Sequence, residues 1–272
     1  MSDNLPALPD PDTGFRRAQR KRAKARVALM GPSGRGKTMT ALRLAMAIAK
    51  VQAPDRDPRV AVIDTEAGSS EKYADLPNPD GGLLYFDVWR LQNGHPNSYL
   101  KALGGAVGYD VVIIDSLTHA WEGKQGAKEL VDAVAAGDKN HNSFAAWSKV
   151  TPLYRSLFET IIRAPYHVIA TFRTKTEWAL ERDERTGKTV PKKIGTAPVT
   201  RDGTEYEFDI VGEFTDTGVL VIGKTRCNTL APDSVWTFPG ADLGGVIAAW
   251  LNNEEEAPCP PSASQPGPST PA

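Results

Sequence analysis

Cysteine is scarce in this chain of 272 residues: there are two, Cys227 and Cys259, in contexts that do not suggest a pair. That excludes a disulfide framework and points to a reduced, intracellular compartment. No apolar run approaches the ~20 residues that cross a bilayer, and the N-terminus lacks the apolar core of a signal peptide. A soluble, cytoplasmic protein with no membrane role is the expectation. A dominant charge is missing as well. Lys and Arg total 32 against 33 Asp and Glu, a formal net charge of -1, so no global field marks a polyanion binder. Any nucleic-acid surface must be a local patch. No internal repeat is visible.

What is present is a hydrophobic content of 40%, enough for a substantial core in one large α/β domain or two small ones. One stretch organises it: RVALMGPSGRGKTMTALRLAMAIAK, Arg26 to Lys50. A short apolar run, Val27 to Met30, leads into G-x-x-x-x-G-K-T and an Ala- and Leu-rich segment of helical length. Strand before and helix after is the context that identifies a phosphate-binding loop. Gly31, Gly34 and Gly36 let the backbone curl so that successive N–H groups converge on phosphate oxygens. The helix that follows turns its positive end to the same anion. Lys37 adds a point charge for the β- and γ-phosphates of ATP, and the Thr38 hydroxyl is placed to ligate Mg²⁺. The nucleotide-binding stretch is therefore Gly31, Pro32, Ser33, Gly34, Arg35, Gly36, Lys37, Thr38 and Met39. A connecting turn is the alternative, and the full motif with both flanks present argues against it.

Residues 1–25 are expected to form a disordered basic arm, with Arg16, Arg17, Arg20, Lys21, Arg22 and Lys24, continued by Arg26, either contacting phosphates or forming a solvated leader. Residues 253–272, acidic and then rich in Pro and Ser, are expected to be a disordered tail. Between them, 26–252 reads as one domain. RVAVID (Arg59 to Asp64) is a buried strand, expected beside the phosphate-loop strand; Leu83 to Val88 is another, with Trp89 passing into a loop. A helix follows, capped by Asn97 or Ser98. YDVVIID (Tyr109 to Asp115) is apolar on both faces, as a central parallel strand should be. Ala127 to Ala136 is helical. Ser143 opens a longer helix, which Pro152 should bend or restart. HVIATF (His167 to Phe172) is a fifth strand. Trp178 to Gly195 reads as a charged hairpin or mobile loop with Thr186-Gly187 at its tip. Glu207 to Phe214 and Val219 to Arg226 are strands joined by a hairpin turn, and a helix near Leu243 to Leu251 ends the domain. Strands alternating with helices predict a mostly parallel sheet with helices on both faces, closed by a C-terminal antiparallel hairpin.

Asp115 ends an apolar strand, which sets its carboxylate at the sheet edge where ligands bind in open α/β folds. There it can share Mg²⁺ with Thr38; a helix-capping role is the alternative. Hydrolysis also needs a carboxylate to deprotonate water. Glu66, two residues past the RVAVID strand, is favoured, with Asp64 and Glu71 as competitors.

The run GPSGRGKT, VAVIDTEAGS and YDVVIIDSLTHAW resembles the RecA-type recombinase core in order and spacing. IDTEAGSSEKYAD, HVIATFRTKTEW and VTRDGTEYEFDIV are similar to phage-encoded RecA-like ATPases of single-strand annealing and recombination. The resemblance covers roughly Arg26 to Trp250. It implies a RecA-like P-loop fold, DNA-stimulated ATP hydrolysis in a host-cell cytoplasm, and Glu66 and Asp115 as catalytic glutamate and Walker B aspartate. It implies Thr171 and Arg173, near Lys175, as γ-phosphate sensors, with an ordinary polar strand end as the alternative. It implies that Lys224 and Arg226, two apart on the last strand, reach a neighbouring subunit's nucleotide; two exposed residues on an edge strand are the alternative. The implied partners are single-stranded DNA near 176–200, where Trp178 could stack on a base or belong to the core, further copies in a ring or filament, and a single-strand-binding or recombination protein. Two other readings stay open, a small-molecule phosphotransferase and a nucleotide-switched assembly protein without DNA. The first lacks a lid rich in paired arginines.

Overall fold

The computed structural model describes residues 23–138, 142–182 and 189–252, without side chains for 177–195. Most of the expected arm, the tail and the Thr186-Gly187 tip lie outside the described residues, as does the Trp178 side chain. In chain order the elements are β1 (Arg26–Gly31), α1 (Lys37–Gln52), β2 (Val60–Asp64), β3 (Asp87–Arg90), α2 (Pro96–Gly105), β4 (Val111–Asp115) and α3 (His119–Glu122). They continue with α4 (Ala127–Ala136), α5 (Ser143–Arg163), β5 (His167–Arg182), β6 (Thr189–Pro198), β7 (Ile210–Asp216), β8 (Val219–Thr225), β9 (Val235–Thr237) and α6 (Ala241–Asn252).

The sheet runs β3-β2-β4-β5-β1-β7-β8-β9, with β6 paired to the outer part of β5. From β3 through β7 every neighbour is parallel, whereas β7–β8, β8–β9 and β5–β6 are antiparallel. Period-two alternation fills both faces. Val111 and Ile113 of β4 pack with Leu44 and Ile48 of α1 and Val246 of α6. Val112 and Ile114 pack on the other face with Leu103 of α2 and Leu157 and Ile161 of α5. A strand sandwiched between helix layers reads as a continuous apolar run, which is why β1, β4 and the inner half of β5 were legible.

Four local expectations change. β2 does not lie beside β1, because β4 and β5 stand between them. Strand order is set by long-range pairing, and a run apolar on both faces carries no label for its neighbour. β3 starts at Asp87 instead of Leu83 and includes Trp89 and Arg90, all four residues exposed on the outermost strand. The cap of α2 is His95, whose Nδ1 accepts from Asn97 N–H at 3.1 Å, with Pro96 opening the helix. α5 does not restart at Pro152 but runs through it as one helix; Pro152 and Ser148 are both exposed, so the carbonyl left without a helical donor meets solvent.

Arg26, counted with the basic arm, is instead buried. Its guanidinium donates to the carbonyls of Ala25 (3.0 Å), Tyr166 (2.9 Å), Ile162 (2.9 Å) and Ala164 (2.6 Å), closing the C-terminal end of α5 against β1. β8 is not the last strand, since β9 pairs along its outer side.

Candidate functional site

β1 delivers the chain to the C-terminal edge of the sheet at Gly31. A Cβ there would lie 2.8 Å from Cβ of Phe214 on β7, so the close approach of β1 and β7 requires glycine. Gly36 caps α1 at φ 103°, in the left-handed region. The first turn of α1 contains no acidic residue and takes no side-chain cap. Its amides are therefore free to meet an anion. Lys37 Nζ folds back onto the carbonyls of Gly31 (2.9 Å) and Pro32 (2.8 Å). Burial lowers its pKa, and the charges of Asp115 and Glu66 oppose that shift.

Thr38 Oγ1 donates to Asp115 Oδ2 at 2.7 Å, and Thr171 Oγ1 donates to Asp115 Oδ1. Thr171 and Asp115 meet because β4 and β5 are parallel neighbours in the register Ile114↔Ala170. Burial raises the Asp115 carboxyl pKa while both hydroxyl bonds pull it down. A hard cation with a small protein share of ligands fits this hydroxyl–carboxylate pair. Mg²⁺ is commonly held by one or two protein oxygens, its substrate's phosphates and water. Among the described residues no group of three His, Cys, Asp or Glu side chains suits a metal ion.

Glu66 follows β2 and is bound by Arg173 of β5: Nε donates to Oε1 at 3.0 Å and Nη2 to Oε2. The Arg173 amide donates to Thr118 Oγ1 at 2.9 Å, fixing the strand at that point. The other two carboxylates are engaged elsewhere. Asp64 is buried and accepts from the amides of Glu66 (2.7 Å), Gly68 (3.2 Å) and Ser70 (3.1 Å) and from the Ser70 hydroxyl. It holds together the loop that carries Glu66. Glu71 pairs with Arg90.

Sequence reasoning missed His119. Its Nδ1 bonds Thr65 Oγ1 at 2.8 Å and its Nε2 lies 4.0 Å from Glu66 Oε1. The only available signal was its place four residues after Asp115, and a lone histidine is more often structural. His119 and Arg173 line a cavity of about 530 Å³ together with Asn93, Glu122 and Lys124.

The structure thus gathers the phosphate loop, Thr38, Asp115, Glu66, Thr171 and Arg173 at one edge. Lys224 and Arg226 are not part of that gathering. Lys224 pairs with Val211, which is level with Ala28 near the start of β1, whereas the phosphate loop follows the end of β1. Lys224 Nζ donates to the carbonyls of Glu205 (3.3 Å), Tyr206 (2.8 Å) and Phe208 (2.7 Å). Arg226, one residue past β8, pairs with Asp209 at 3.1 Å.

No helix among the described residues is long and apolar enough to cross a membrane. No curated protein matches the chain. A family model described as AAA domain matches residues 23–240, a span that takes in the phosphate loop and every strand from β1 through β9. The chain therefore belongs to the AAA domain family, and its domain is a P-loop ATPase domain of AAA type.

Proposed function

We propose that the protein hydrolyses ATP with Mg²⁺ in the manner of a RecA-like ATPase, and that single-stranded DNA on the β5–β6 hairpin stimulates it. One observation carries the reading: Lys37, Thr38, Asp115, Glu66 and Arg173, which come from four separate chain segments, converge at one sheet edge. The phosphate-loop amides and Lys37 bind the triphosphate, Lys37 exchanging its two carbonyl acceptors for phosphate oxygens. Thr38 Oγ1 and the Asp115 carboxylate would hold Mg²⁺, which would supply positive charge against the phosphates. Thr171 orients the Asp115 carboxylate. Glu66 takes the proton of the attacking water, and Arg173, now paired with Glu66, is within reach of the same region to stabilise developing charge.

DNA enters through continuity of the chain. The strand bearing Thr171 and Arg173 continues without interruption into the hairpin, whose sequence includes Lys175, Arg182, Lys192 and Lys193. The trans role expected of Lys224 and Arg226 is left out of this reading, because the Lys224 ammonium is already engaged by three carbonyls.

Phosphate release from Mg·ATP, measured with and without single-stranded DNA across salt and protein concentration, tests the reading. Expected are turnover abolished by Lys37→Ala, stimulation by DNA that fades as salt rises, and specific activity that grows with concentration if copies assemble. Absence of ATP binding by the wild-type chain overturns it, and a rate indifferent to DNA removes the DNA half.

A further inference from the structure

Phe238 follows β9, 61% exposed and with its backbone at φ 47°. The left-handed region is unfavourable for a bulky residue, and an exposed ring recovers little from the core. Three contacts nevertheless hold it. Its N–H donates to Gly218 O at 2.6 Å. Its carbonyl accepts from Arg43 Nη1 at 2.6 Å, and Arg43 is itself fixed by two 2.8 Å bonds to Asp80. The ring lies on Gly218, where an added Cβ would come 2.2 Å from a ring carbon. Gly218, at φ 71°, leaves that space open.

The surface beneath the ring is part of the phosphate loop's own support. Gly218 closes the β7–β8 turn, its N–H donates to Arg35 O at 3.1 Å, and the Arg35 guanidinium binds Asp216 and Thr217 Oγ1. A Cβ on Gly36 would stand 3.9 Å from Gly218 N. On α1, Met39 and Arg43 follow Gly36 at i+3 and i+7, so all three share one helix face, and Arg43 is the residue that holds Phe238. A phenyl ring is thus pinned, mostly solvent-exposed, on the turn that itself touches the phosphate loop at Arg35 and Gly36.

We propose that Phe238 is the platform on which the base of the bound nucleotide stacks, with Met39 on the adjoining helix face. The inference rests on the ATP-binding reading and extends it from the phosphates to the base. The phosphate loop fixes one end of a nucleotide, and the base then needs a flat apolar partner outside that loop. Stacking accepts any base because every base has a π-face, so Phe238 separates nucleotides from bare polyphosphates more than ATP from GTP.

The test compares Mg·ATP with Mg·tripolyphosphate, which has the phosphates and no base, by calorimetric titration of the full chain. Phe238→Asn suits the left-handed backbone and removes the ring. It should weaken ATP binding about tenfold or more and leave tripolyphosphate binding within about twofold. Phe238→Trp, which keeps an aromatic face, should recover most of the affinity lost in the Asn variant. Equal weakening of both ligands by Phe238→Asn would show that the ring merely braces the phosphate loop through Gly218, and would overturn the proposal. So would unchanged ATP binding. A wild-type chain that binds neither ligand defeats the ATP reading itself, a different failure from either of these.

Discussion

Asp64 and Glu66 are two residues apart, and substituting either with its amide should damage the protein in a different currency. Asp64 is 1% exposed and accepts four hydrogen bonds, two on each carboxylate oxygen. In Asp64→Asn one oxygen becomes an NH₂ group facing two donors. Loss of two bonds to a charged acceptor, together with donors left buried, should cost about 3–5 kcal/mol. For a domain of this size that is a fall in Tm of roughly 6–20 °C. Glu66 has one strong partner, Arg173, whose side chain is 44% exposed. Solvent screening holds such a pair to about 1 kcal/mol or less. Glu66→Gln should therefore lower Tm by no more than a few degrees. Its turnover should nevertheless fall by about 10²–10⁴, a loss of at least ~2.7 kcal/mol in transition-state stabilisation that the folding term cannot supply. Activity alone does not discriminate, since Asp64 also holds the amide of Glu66 and its amide variant misplaces the base. Urea denaturation, ATP titration and single-turnover phosphate release on both variants do. An Asp64→Asn protein of wild-type stability that binds ATP without hydrolysing it, beside a Glu66→Gln protein that still turns over, would refute the assignment.

Arg26→Met should cost about 3 kcal/mol or more by stranding the carbonyls of Tyr166, Ile162 and Ala164, read as a lower urea midpoint with ATP affinity of the folded protein retained. The His167 pKa is lowered from 6.5 to about 3, chiefly by burial, and its Nδ1 accepts the Ala25 N–H at 3.0 Å. The unfolded chain therefore binds more protons than the folded one between those values, and stability should fall as pH drops from about 6.5 towards 3, by up to ~1.4 kcal/mol per unit. His167→Asn, whose amide oxygen can accept the Ala25 N–H, should flatten that slope in urea melts run across pH.

The parts of the domain that a reader of the sequence could find were those encoded over short distances. The phosphate loop is contiguous, and Asp115 closes an apolar run, so both announce themselves. The meeting of Thr38, Asp115 and Thr171 depends on β4 and β5 being neighbours, a long-range pairing without a local signature. Arg26 follows six basic residues of the same composition, and nothing in a charge run distinguishes the one guanidinium that folds inward. Three-residue β9 is too short to show periodicity, so Lys224 and Arg226 seemed to stand on an outer strand. The β3 boundary slipped because Leu83 and Tyr85 are apolar yet precede the ladder, whereas Asp87 and Arg90 are charged within it.

β5 has a mechanical consequence. Its 16 residues run from His167 to Arg182, and only the first part is clamped between β4 and β1. At about 3.3 Å per residue, the stretch from Thr171 to Arg182 forms a beam roughly 36 Å long with one end built into the sheet. Pairing with β6 stiffens the free end, but the register shifts between Glu177 and Trp178. There β6 carries one extra residue, Ile194, opposite the Glu177–Trp178 step. Inward of it, the Val199 amide bonds the Arg173 carbonyl at 2.8 Å, so the root of β6 is tied to the backbone of the arginine that grips Glu66. A displacement of the outer hairpin therefore has one continuous strand along which to reach the arginine that grips the carboxylate.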